Sequence, residues 1–184
     1  MSWKRYAKDF ILYSVNFRRE PKQMSTCFPT SKYAARKMAG QIGDAKYVIE
    51  LGAASGKVTK EILKELPEDG KLLSFEINPR LAKELKRNIN DPRLEVIVDD
   101  AGNIRDHTSG VDCIISTIPL TTMKKAEREH IIQQCYDTLD RGNYVQLQYC
   151  KAVKKELEQR FGTVEIKRSF RNIPPSTVIY NCRK

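Results

Sequence analysis

The sequence predicts a doubly wound α/β fold: a seven-stranded, mainly parallel sheet ending in an antiparallel β-hairpin and preceded by helices. Three observations carry this expectation. From Tyr47 onward, short β-branched runs alternate with amphipathic segments of helical length, the pattern of parallel strands joined by crossover helices. The last two apolar runs, 163–170 and 176–182, are separated by little more than Asn172-Ile173-Pro174-Pro175, too short for a crossover, so they pair antiparallel. Residues 1–45 differ in character and hold seven of the fifteen aromatics.

In chain order, Trp3, Tyr6, Phe10, Tyr13 and Phe17 step by 3, 4, 3 and 4, which places them on one stripe of a helix. Lys4, Arg5, Lys8 and Arg18 lie away from that stripe. A second helix follows Pro29, capped by Thr30 or Ser31 and running to Gly40 or Gly43. Strands are expected at 47–51, 71–76, 94–98, 111–117 and 143–148. Helices are expected at 57–66, where Pro67 stops the pattern, from Pro79 in the first-turn position that suits proline, at 124–139 and at 152–161. The chain thus divides into a helical extension, 1–45, and an α/β domain, 46–184. The extension is read either as a lid or as a contact with an anionic membrane surface.

Composition narrows the classes. Of 184 residues, 40% are hydrophobic and 30% charged, which supports a packed core and argues against general disorder. No apolar stretch reaches the ~18–20 residues of a membrane span, and no signal-peptide pattern opens the sequence, so a cytoplasmic chain, at most peripheral to a membrane, is expected. Thirty-three Lys and Arg against twenty-three Asp and Glu give a net charge of +10, a bias toward polyanionic partners such as RNA or acidic lipid. Lys124, Lys125, Arg128, Lys151, Lys154 and Lys155 are read first as solvated helix faces and second as a patch for phosphates. Five scattered cysteines and two isolated histidines, without metal-ligand spacing, predict no metal site.

The chemistry concentrates at Val48-Ile49-Glu50-Leu51-Gly52-Ala53-Ala54-Ser55-Gly56, a buried strand passing through a small-residue turn into a helix. Gly52 and Gly56 are expected to let the backbone approach a ligand, with free N–H groups at the helix start. Twenty residues beyond Gly56, Glu76 ends the second strand, where a carboxylate can accept both hydroxyls of a ribose. Asp99 and Asp100 follow the third strand, where one can accept from an adenine amino group. A dinucleotide fingerprint requires glycine at relative positions 1, 3 and 6; here those positions are Gly52, Ala54 and Lys57, so NAD is disfavoured.

These residues resemble the class I S-adenosylmethionine-dependent methyltransferases, over about 47–184, with a Rossmann-like sheet and terminal hairpin. Glu50-Leu51-Gly52-Ala53-Ala54-Ser55-Gly56 is similar to their first motif, with Ala54 replacing the usual middle glycine. The resemblance implies S-adenosyl-L-methionine as cofactor. It assigns Glu50, Gly52, Ala53, Ala54 and Gly56 to the methionine end, Glu76 and Ile77 to the ribose strand end, Asp100 and Ala101 to adenine, and Ser116 to the same pocket. Ser116, Thr117 and Pro119, in Ser116-Thr117-Ile118-Pro119-Leu120 after the fourth strand, fall at the substrate-facing motif and are the expected catalytic set. Ser116 and the Thr117 carbonyl would position the methyl acceptor, and no dedicated base stands out.

Two segments outside this core narrow the resemblance. Phe28-Pro29-Thr30-Ser31-Lys32-Tyr33 looks like the segment preceding the sheet in bacterial phospholipid N-methyltransferases, and Arg171-Asn172-Ile173-Pro174-Pro175 like their terminal turn. That implies an ethanolamine-type phospholipid amine as acceptor, with Phe28, Thr30, Ser31, Tyr33 and Leu120 on the substrate side. The rRNA adenine dimethylases are the alternative. They carry Asn-Leu-Pro followed by an aromatic that stacks the flipped base; Ser116 is read at the Asn position and Leu120 at the aromatic one, and Leu cannot supply stacking worth ~1–3 kcal/mol. A third reading is a partner subunit that binds S-adenosylmethionine without catalysis.

Overall fold

The computed structural model describes residues 30–169 and 177–184. Seven strands form one sheet in the order β3-β2-β1-β4-β5-β7-β6. The strands are β1 (Tyr47–Leu51), β2 (Lys71–Phe75), β3 (Leu94–Ile97), β4 (Val111–Ser116), β5 (Leu139–Gln148), β6 (Val164–Ser169) and β7 (Thr177–Arg183). β1 to β5 run parallel, and β7 inserts antiparallel between β5 and β6. The helices are α1 (Lys32–Ala39), α2 (Lys57–Glu65), α3 (Pro79–Asn88), α4 (Ile104–His107), α5 (Lys125–Thr138) and α6 (Lys154–Phe161).

Alternation along the central strands divides the core in two. Ile49, Leu73, Ile114, Tyr144 and Tyr180 pack under α4, α5 and α6. Val48, Leu72, Ile115, Val145 and Ile179 pack under α1 and α2 on the other face. Because both faces are covered, the central strands read as near-continuous apolar runs, which made them visible in the sequence.

Local capping matches expectation at α1, where Ser31 Oγ accepts from Ala34 N–H, and at α3, where Pro79 opens the helix behind an Asn78 cap. Two differences matter for the site. The segment after β3, where the sequence predicts no helix, forms a 3-10 turn (Ala101–Asn103) running into α4. β5 begins directly at the end of α5, with a register irregularity between Val111 and Cys113. No described helix is long and apolar enough to cross a membrane. The aromatic stripe at 3–17, Phe28 and the 171–175 turn lie outside the described residues.

Candidate active site

The site begins where β1 runs out at the carboxyl edge of the sheet. The Gly52 and Ala53 N–H groups both donate to the Phe75 carbonyl, at 2.9 and 3.2 Å, which ties the turn to β2. Gly52, Ala54 and Gly56 have φ of 83°, 45° and 75°, so every second residue of the turn is left-handed. Ala54 therefore holds a conformation that disfavours any side chain by ~1–2 kcal/mol, the physical reason glycine suits this position. The packing around Gly56 supplies a reason for glycine at this position. A Cβ there would lie 2.5 Å from Leu85 Cδ1 and 2.9 Å from Ile89 Cδ1, so this glycine lets the turn pack against α3. At Gly52 a Cβ would meet Ile118 and Thr117, so that glycine admits the loop after β4.

Two carboxylates lie at this turn. Glu76 is buried; its Oε2 accepts from Ala54 N–H at 2.8 Å and its Oε1 from Asn78 N–H at 2.9 Å. Burial raises its pKa, and the two N–H donors oppose that rise. Glu50 is fully buried on β1, with Oε2 accepting from Thr59 and Ser74 hydroxyls, both at 2.6 Å. Burial pushes its carboxyl up to about 7, with a further contribution from Glu76. Its second oxygen, Oε1, is buried without a partner. An orphaned carboxylate oxygen beneath the turn fits a cationic ligand group such as the methionine ammonium of S-adenosylmethionine.

Along the same edge, Ile77 and Val98 are 41% and 48% exposed. Asp99 is taken: it accepts from Asn103 Nδ2 and Asp100 N–H and pairs with His107 Nε2 at 2.7 Å, which holds its carboxyl down at about 2. Asp100 is exposed and caps the 3-10 turn through Gly102 N–H, with Ala101 half-buried beside it. This division favours Asp100 over Asp99 for a ligand.

The loop after β4 forms the opposite wall. Thr117 Oγ1 donates to the Gly52 carbonyl at 2.9 Å, so the loop and the turn are one construction. Ser116 and Leu120 depart from expectation. Ser116 is fully buried beside the Tyr144 phenol, and Leu120 is sealed in the core under α5. Neither side chain reaches the surface of this loop. Counted back from Pro119, the Asn position of the four-residue dimethylase pattern belongs to Thr117, and Thr117, Ile118 and Pro119 are the half-buried residues there. Ser31 is occupied as the α1 cap, Thr30 is half-buried, and Tyr33 is 54% exposed on α1, whose contacts run to α2 and β6.

The sequence did not suggest the device that sets this wall. Gln146 and Gln148, both buried on β5, donate their side-chain amides to the Ile118 carbonyl at 3.0 and 2.9 Å. Tyr144 hydroxyl donates to Gln146 Oε1, and Thr121 Oγ1 to Gln148 Oε1. The signal was present: Tyr144, Gln146 and Gln148 place polar groups at alternate positions of an otherwise apolar central strand.

With this geometry in place, a family model described as "Methyltransferase domain" matches residues 48–142, slightly more than half of the chain. The chain belongs to this methyltransferase family. The methyltransferase is 26% identical over 189 residues to an ornithine lipid N-methyltransferase of Singulisphaera acidiphila, covering 96% of each chain. Solved structures share its fold. Precorrin-6y C5,15-methyltransferase from Geobacter metallireducens superposes with a TM-score of 0.66 at 16% identity, over 85% of this chain and 95% of that one. A SAM-dependent O-methyltransferase from Thermotoga maritima gives 0.64 at 14%, over 92% and 70%. Spermidine synthase from the same organism gives 0.66 at 16%, and there the match spans 84% of this chain but only 60% of that one. Class I architecture and S-adenosylmethionine-dependent methyl transfer are thereby established for the family to which this enzyme belongs.

Proposed function

We propose that this enzyme transfers a methyl group from S-adenosylmethionine to the amine of a polar lipid head group. The ornithine lipid N-methyltransferase relative, matched over nearly the full length of both chains, is the observation that carries this reading. The ethanolamine-type phospholipid read from the sequence and an ornithine-type lipid share the chemistry required, a primary amine beside an interface.

S-adenosylmethionine supplies an electrophilic methyl on a sulfonium, so the protein's work is alignment and exclusion of water. Glu76 would exchange its bond to Ala54 N–H for ribose hydroxyls, Ile77 would lie against the nucleoside, Asp100 and Ala101 would meet adenine, and Glu50 Oε1 the methionine ammonium. The left-handed turn at Gly52, Ala53, Ala54 and Gly56 would surround the methionine end. Thr117 and Pro119 would form the wall against which the amine nitrogen approaches. An alkylammonium has a pKa near ~10.4, so the amine must lose a proton to attack, and a half-buried wall of Thr117, Ile118 and Pro119 favours the neutral form by desolvation.

The test offers the enzyme labelled S-adenosylmethionine with phosphatidylethanolamine, ornithine lipid or structured RNA, each dispersed alone. Label in a lipid, lost in Glu76→Ala, is the expected result. Label only in RNA transfers the activity to the adenine-type alternative, and tight cofactor binding with no acceptor labelled favours a non-catalytic partner subunit.

A further inference from the structure

The carboxyl edge of the sheet, which carries the Gly52–Gly56 turn, Glu76 and the Thr117–Pro119 wall, is also where the helices begin. α2, α3, α5 and α6 start there because each follows a parallel strand, and α1 starts there because it runs back toward the beginning of β1. A helix amino-terminus carries partial positive charge and normally attracts Asp or Glu. This chain does the reverse. Lys32 opens α1, Lys57 opens α2, and Arg80 is the second residue of α3; none of these helices has an acidic residue in its first turn. Lys124 caps α5 and Lys125 opens it. α6 opens on Lys154 and Lys155, with exposed Lys151 just before it.

The two acidic residues in these first turns are Glu127 and Glu156, and Glu156 is engaged by the Arg128 guanidinium at 2.6 and 2.7 Å. At the opposite edge Lys46, Lys71 and Arg93 pair with Asp69, Glu95 and Asp91, while at the mouth Lys125 and Lys154 pair with Glu129 and Glu158 one turn further along their own helices. In α1, α2 and α3 this placement opposes the helix dipole, so helix stability does not explain it. It concentrates positive potential around the mouth of the site.

We infer that this ring of lysines and arginine docks the mouth of the active site on an anionic bilayer surface. The inference rests on the lipid-amine reading above. A bilayer is favoured over RNA because the wall after β4 presents Thr117, Ile118 and Pro119 while Leu120 is buried, so no aromatic follows Pro119 to stack an extruded base. Tyr33, 54% exposed on the first turn of α1, adds an amphipathic ring of the kind that settles at head-group level.

The test uses the full chain and vesicles of phosphatidylcholine with about one-third phosphatidylglycerol, compared with pure phosphatidylcholine. Neutralising Lys124, Lys125, Lys151 and Lys155 together to Gln should weaken co-sedimentation with the anionic vesicles about tenfold or more. A matched variant with Lys64, Lys71, Lys86 and Arg141 changed to Gln removes the same charge from the other edge and should bind within about twofold of wild type. Methylation of detergent-dispersed lipid should persist in both variants. Equal loss in the two variants, or unchanged binding in the first, overturns the docking surface while leaving the lipid-amine reading intact. Wild-type preference for an RNA fragment over anionic vesicles, abolished by the first variant, overturns it in favour of RNA. Charge-dependent vesicle binding without methylation of any dispersed lipid would instead remove the lipid-amine reading and leave the surface.

Discussion

Gly56 and Glu50 show how single residues constrain this site from below. At Gly56 the left-handed φ of 75° opposes any side chain, and so does the Leu85 methyl, 2.5 Å from where a Cβ would stand. Gly56→Ala should lose about 3 kcal/mol in urea unfolding, and in a background with Leu85→Ala and Ile89→Ala the added cost should fall to the backbone strain, about 1 kcal/mol. Glu50 couples the site to pH. Its carboxyl is near 7 in the fold and 4.5 unfolded, so between those values the native state holds a proton that the unfolded chain releases. Stability therefore falls as pH rises through this window, by up to about 3 kcal/mol. Glu50→Gln has no such proton to lose, and its unfolding midpoint should change less than wild type between about pH 5 and about pH 8. An equal decline in both proteins would place the titrating group elsewhere.

At the scale of elements, β5 acts at a distance through its side chains. The Gln146 and Gln148 amides occupy the Ile118 carbonyl and so hold the peptide preceding Pro119. Gln148→Leu should lower kcat about ten- to hundredfold through misplacement of this wall. Binding of S-adenosylhomocysteine, measured by calorimetry, should stay within about twofold, because the Glu76 contacts are untouched. A proportional loss of cofactor affinity would mean that the pair supports the whole pocket. This device was the least legible part of the site. Val145, Gln146, Leu147 and Gln148 read as a strand, but nothing in their order names the carbonyl they meet, which lies 28 and 30 residues away.

For the whole molecule, the order of strands decides what can be removed. β7 is last in sequence yet lies between β5 and β6, with Thr177, Val178, Ile179, Tyr180, Asn181 and Cys182 all buried. A chain ending at residue 176 exposes β5 along its length and loses several side chains worth ~1.5–3 kcal/mol each, more than the ~5–15 kcal/mol that holds a domain once the lost ladder is added. It should show no cooperative unfolding transition by circular dichroism; a cooperative transition would mean that the hairpin is an accessory. The sequence alone determined the alternation of strands and helices, the turn after β1 and the acidic residues at the next two strand ends, because periodicity, glycine spacing and chain polarity are local properties. It could not determine which atoms those residues face. Gly56 against Leu85, Ser116 and Leu120 in the core, and the glutamine pair on Ile118 were decided by packing between distant segments, where a difference of one residue along a strand reverses the direction of a side chain.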